Sequence, residues 1–210
     1  ISFKLENMRK LADCGVYFLD SPEDILAIAA KYAGFSPDLR DADGIRRAAQ
    51  VVTQVRSSVR KFHSSEYINA LANGDICLAI GWAGDSFQAR NRAREAGAGI
   101  DIAYVVPREG TLMSIDTLAI PKDAQHVTEA HKFIDFLLRP EIAARNSGVT
   151  NFANPVAASK LLLPAALGDN KSIYPDEAMT KKLFTVLTKE ADLQKIISRD
   201  GGHDGEQITR

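Results

Sequence analysis

An α/β fold is predicted by three features: apolar runs of strand length, amphipathic helical runs between them, and turn residues at the junctions. The clearest junction is Asn73-Gly-Asp-Ile-Cys-Leu-Ala-Ile-Gly-Trp-Ala-Gly-Asp85. Asn73-Gly74 reads as a helix stop, with glycine in the left-handed position. Asp75 to Ile80 is a buried strand by length and character. Gly81-Trp82-Ala83-Gly84-Asp85 then turns sharply at the strand's carboxyl end, and a helix is expected from Ser86 to Glu95. In open α/β sheets that edge binds ligands. An indole beside a carboxylate suits an organic cation, through cation–π attraction and a charged hydrogen bond. Both residues also have structural readings, Trp82 as core and Asp85 as an N-cap.

Taken in order, Glu6 to Ala12 is a short helical pattern and Val16 to Leu19 a strand. Ser21-Pro-Glu-Asp24 is a helix start, with Ser as N-cap, Pro at the first position and acids in the first turn. Ile25, Leu26, Ile28, Ala29 and Tyr32 supply its apolar face, and Gly34 stops it. Glu23 and Asp24 are explained structurally by the helix N-terminus, which favours carboxylates. Ile45 to Val59 carries a second helical face, followed by a strand at Lys61-Phe62-His63. Ser64 or Ser65 is the expected cap of the helix through Leu71.

Ile100 to Val106 reads as a strand closed by Pro107. Leu112 to Ile120 is apolar except near Asp116. A carboxylate within such a run is costly unless paired, which makes Asp116 a site candidate. Helices are expected over Thr128 to Leu138, Ile142 to Arg145, Pro155 to Leu162 and Glu177 to Thr188. The tail from Arg199, with His203 among glycines, reads as disordered.

Composition narrows the function. A net charge of −1 argues against nucleic acid as the partner. No apolar run reaches the length of a membrane span. The chain opens Ile1-Ser-Phe-Lys-Leu-Glu6, without the pattern of a signal peptide, and reads as a fragment or a processed chain. Cys14 and Cys77 permit one bridge or two buried thiols, and too few ligands for a four-thiolate metal site. No cofactor or metal is called for. A hydrolase using His63 with Ser64 or Ser65 lacks a nucleophile-elbow pattern and a third orienting group.

The stretch from Phe62 to Asp85 resembles bacterial periplasmic polyamine-binding proteins, the putrescine and spermidine receptors of ABC importers. Asp13 to Asp24, Val106-Pro-Arg-Glu-Gly110, Phe136-Leu-Leu-Arg-Pro-Glu141 and Ile173-Tyr-Pro175 follow in the family's order. The resemblance implies a type II periplasmic-binding-protein fold, two lobes with a hinge, incomplete at the N-terminus. Residues 1–98 then form the first part of the second lobe, 99–148 a first-lobe segment, and 149–210 the return to the second lobe with the C-terminal tail. It implies a Cys14–Cys77 disulfide, periplasmic location, no catalysis, a polyamine ligand, and a membrane permease as partner.

By the same resemblance Trp82, Asp85 and Asp116 bind ligand, and Asp24 stands where a longer Glu is common, with Glu23 beside it to compensate. Two positions depart from the family: Ser114 replaces an aromatic of the box, and Asn151 replaces a ligand-contacting Tyr. The class of ligand survives these changes better than its identity. A degenerate or truncated receptor with an altered ligand, another cationic amine or an amino-acid-like solute, is the alternative reading. Full-length members are monomers; here the 99–148 segment, lacking partners, is expected to be poorly ordered or to pair with another chain.

Overall fold

The computed structural model describes residues 3–200, so the reading of the tail at His203 lies outside the described residues. A three-stranded parallel sheet organises the first half, in the order β2 (Lys61–Phe62), β1 (Val16–Phe18), β3 (Leu78–Ala79). Tyr17 pairs with Lys61 on one side and with Ala79 on the other. Val16 and Phe18 of the central strand are fully buried, as expected where helices cover both faces. Phe18 meets Phe62 edge to face with ring centroids 5.8 Å apart, a favoured aromatic geometry.

Helices follow each strand. α1 (Leu5–Leu11) precedes β1, while α2 (Pro22–Tyr32) and α3 (Ala42–Val55) connect β1 to β2. α3 starts three residues before the expected Ile45 because Asp41 caps it, accepting from Gly44 N at 2.7 Å. The chain then passes through a 3-10 turn, Arg56–Ser58. α4 (Glu66–Asn73) lies between β2 and β3 and ends at Gly74 with φ +78°, a left-handed stop that glycine adopts without strain.

The expected serine cap of α4 is corrected. His63 does that work: its Nδ1 accepts from the Ser65 and Glu66 amides at 3.2 and 3.1 Å. His63 Nε2 lies 3.3 Å from Glu66 Oε1, so both ring nitrogens have local partners.

α5 (Ala83–Glu95) also starts earlier than expected, by three residues. Trp82 is its N-cap residue and Asp85 falls in its first turn, so Asp85 is not the cap. Beyond it the expected strand at 100–106 has no ladder; its residues merely alternate in exposure, with Val105 73% exposed. Only β4 (Thr111–Leu112) pairs in this region, in parallel with the distant β5 (Leu183–Phe184). The strand signal reported a two-faced extended segment and could not report whether a neighbour lies alongside.

α6 (Val127–Leu137) and α7 (Pro140–Thr150) follow; α7 is longer at both ends than the expected Ile142 to Arg145, its start set by Pro140, which fits the first helical position. The expected helix at 155–162 is a 3-10 segment, Ala157–Leu162, and α8 (Ala165–Gly168) follows it. The helix expected from Glu177 stops at Thr180 (α9), and the chain turns into β5. α10 (Ala191–Asp200) closes the described chain and buries Ile197 against the first core. That core gathers Met8, Val16, Phe18, Leu26, Ile45, Val55 and Tyr67 around the sheet. Cys14 and Cys77 are bonded, with Cα atoms 5.6 Å apart.

Candidate ligand-binding site

β1 and β3 are adjacent and parallel, and each runs directly into a helix. Asp24 is the third residue of α2 and Asp85 the third residue of α5. Two carboxylates thus occupy equivalent first-turn positions beside the carboxyl edge of the sheet, where α/β folds bind ligands.

Trp82 links them. Its indole Nε1–H donates to Asp24 Oδ2 at 3.3 Å. Its backbone N–H donates to the Tyr67 hydroxyl at 3.0 Å, and that hydroxyl donates to Asp85 Oδ2 at 2.7 Å. Tyr67 is fully buried, and burial together with the Asp85 hydrogen bond pushes its phenol far above the usual range. It therefore stays a donor at every working pH. Gly81 is required at this junction, since a Cβ there would run into the Tyr67 ring.

Asp24 is half-buried, and burial raises its carboxyl above the usual 3.8. Hydrogen bonds from Ser21 and Trp82 oppose that rise and the neighbouring Glu23 adds to it. The Ser21 hydroxyl serves Asp24 in place of the helix amides. An ionised group held at a cost of desolvation is one that a cation stabilises.

A cavity of about 370 Å³ opens beside Asp24, lined also by Glu23, Ser114, Met113, Thr188 and Gln194. Glu23 is already engaged: Lys189 Nζ lies 3.4 Å from its Oε1, and Gln194 Nε2 lies 3.5 Å from its Oε2. Lys189 is 6% exposed, donates to Asp38 Oδ1 at 2.9 Å and to the Leu187 carbonyl at 2.7 Å. Burial would raise Asp38, but hydrogen bonds from Lys189, Arg40 and the Leu187 amide prevail and hold its carboxyl below the usual range.

Among the described residues the remaining candidates make no hydrogen bond to this network. Asp116 is exposed in an extended segment where Ile115 and Leu118 are 69% and 59% exposed, so the expected enclosure of this acid is not found. Among the described residues no hydrogen bond or ion pair ties Asp116 to Asp24, Trp82 or Asp85. Asn151 has φ +60° at the C-cap of α7. Asparagine is the residue after glycine that best tolerates that conformation, which gives it a structural reason to be there. Neighbouring Phe152 lies against Gly84, where any Cβ would collide with its ring. Lys189, Asp38 and Tyr67 were not singled out by sequence. Lys189 lies in a polar run that reads as surface, while Tyr67 falls on the apolar face of α4, where a buried hydroxyl implies a partner.

Trp82 and Asp85 do not line the cavity beside Asp24, and Trp82 packs half-buried against the sheet core. The fold, with Asp24 at a helix start on the cavity wall, is that of a solute-binding protein. The chain belongs to the bacterial extracellular solute-binding protein family, whose pattern matches residues 18–182. It is 42% identical over 197 residues to the putrescine-binding periplasmic protein PotF of Escherichia coli, covering 93% of this chain and 53% of PotF. It is 43% identical over 197 residues to the putrescine-binding periplasmic protein SpuD of Pseudomonas aeruginosa, covering 94% of this chain and 54% of SpuD. The chain spans about half the length of the curated relatives it matches. The crystal structure of PotD, a spermidine/putrescine ABC transporter substrate-binding protein of Streptococcus pneumoniae, superposes with a TM-score of 0.73 at 20% identity. It covers 89% of this chain and 56% of that one, and it supports the fold.

Proposed function

We propose that this chain forms much of the ligand site of a periplasmic receptor that captures a polyamine of the putrescine or spermidine class and delivers it to an ABC-importer permease. The observation that carries this reading is the pair Asp24 and Asp85 at equivalent helix starts, joined through Trp82. A polyamine has ammonium groups on an apolar spacer, so it needs carboxylates at its ends and an aromatic wall between. Asp24 and Asp85 serve as ends and Trp82 as the wall. Ser114 lines the cavity beside Asp24, and Trp82, Asp85, Asp116 and Asn151 contribute on closure of two lobes about a hinge, with 99–148 moving against the rest. Such closure is driven by contacts made only in the closed state. The names of PotF and SpuD support the ligand class and the location. The receptor releases its ligand chemically unchanged; His63, held by the Ser65 and Glu66 amides, supports a structural role there over a hydrolytic one.

The test is calorimetric titration with putrescine, spermidine, cadaverine, agmatine and ornithine. This chain alone is expected to bind amines weakly, because charge pairs in an open cleft are each worth about 1 kcal/mol or less. Micromolar putrescine binding would mean a site more complete than this one. Heat from ornithine alone would move the ligand class to amino-acid-like solutes.

A further inference from the structure

Lys189 is a buried ammonium that the ligand site does not use directly. Its side chain is 1% exposed, yet it sits against Glu23, a residue lining the cleft next to Asp24. It comes from the segment between β5 and α10, far along the chain, and is held there by Asp38 and the Leu187 carbonyl. Arg40 locks the arrangement, donating to Asp38 Oδ2 at 2.8 Å and to the Thr188 carbonyl at 3.0 Å. Glu23 is therefore neutralised from inside the protein, and Asp24 next to it has, among the described residues, hydrogen-bond donors and no ammonium.

We propose that Lys189 sets the charge preference of the cleft: it occupies Glu23 as an internal counter-cation, so that this wall offers one available carboxylate and not two. The inference rests on the amine-binding reading above. Lys189 acts as a positioning residue, through Glu23, and touches no ligand itself. Without it Glu23, one-third exposed on its side chain, is free to accept an additional ammonium. The ligand favoured would then carry more charge.

The experiment compares spermidine, with three ammonium groups, and putrescine, with two, on the full 210-residue chain. The chain's one tryptophan reports binding through the indole N–H resonance of Trp82. Lys189→Met is expected to raise the ratio of spermidine to putrescine affinity about three- to fivefold, the worth of one partly screened ion pair. Lys189→Arg should keep the wild-type ratio, and Glu23→Gln with Lys189→Met should return to it. Loss of a buried cation also strands Asp38, so Asp38→Asn with Lys189→Met provides a second route to the same liberated Glu23 if the single variant does not fold. A ratio unchanged in the folded variants, with the wild type binding both amines, overturns the role of Lys189 and leaves the polyamine reading intact. Absence of any amine response in wild type and variants alike removes that reading and this inference with it.

Discussion

Phe18 and Tyr67 are wholly enclosed, whereas Phe133 in α6 is 58% exposed and Ile115 is 69% exposed. All are large apolar or aromatic residues in patterned runs, so composition does not separate residues 3–98 from residues 99–138. Their neighbours do. The first region brings three strands and four helices onto one core within itself, and α10 returns to close it. The second meets the rest through β4, through Tyr104 packed on Phe87 and through the flank of α6, and buries no residue of α6. A pattern in sequence states which face is apolar; only packing decides whether that face leaves water.

The largest effect expected from this contrast is in paired truncations. Phe18→Ala should cost about 3–5 kcal/mol in urea unfolding, the usual range for a core aromatic. Phe133→Ala should cost below about 0.5 kcal/mol, as exposed positions do. Equal losses would break the comparison.

Cys14→Ser with Cys77→Ser removes a bridge whose half-cystines are 63 positions apart, within the packed region. In the chain-entropy model that should lower stability by roughly 4 kcal/mol, read as a drop in melting temperature. No drop would mean the core closes this loop unaided.

Tyr67→Phe sharpens the link between packing and site. It removes the hydroxyl that accepts from Trp82 N and donates to Asp85, leaving a half-buried amide without its partner. A loss of about 1–3 kcal/mol is expected, together with weaker amine binding. Loss of stability with unaltered binding would detach Asp85 from the site.

The smallest effect concerns Asp24. Its folded carboxyl lies above 3.8 because of burial, so the ionised form costs stability above that raised value, and the cost vanishes as pH falls through it. Asp24→Asn should thus melt slightly higher than wild type at neutral pH, with the difference shrinking in acid. Amine binding needs the ionised form and should weaken on acidification before an ordinary carboxylate would titrate. A neutral-pH variant that melts lower than wild type would sink this reading.

The strand–helix junctions of the candidate site were legible because backbone chemistry marks them. Gly74, Gly81 and the Ser21-Pro22 start fix where strands end and helices begin, and those junctions carry Trp82, Asp85 and Asp24. The errors fall where a distant partner decides the outcome. Ile100 to Val106 has strand character but no ladder, and Glu177 onward has helical character but bends into β5 to meet β4. His63 displaced the expected serine cap because its ring reaches two amides at once. Lys189 gave no signal, since its burial depends on Asp38 and Glu23, residues more than a hundred positions away.

The pairing of β4 with β5 also imposes an order in time. Every strand of the three-stranded sheet has been synthesised once Ala79 leaves the ribosome, but Thr111 must wait for Leu183. Domains tend to fold as they emerge, and long-range pairings come late because the intervening chain must first be closed. The cleft wall at Leu112–Ile115 and Thr185–Thr188 therefore arrives last, after Asp24 and Trp82 are already in place. A nascent chain stalled between these points should resist limited proteolysis across residues 16–79 while still lacking the wall against which a ligand would be held.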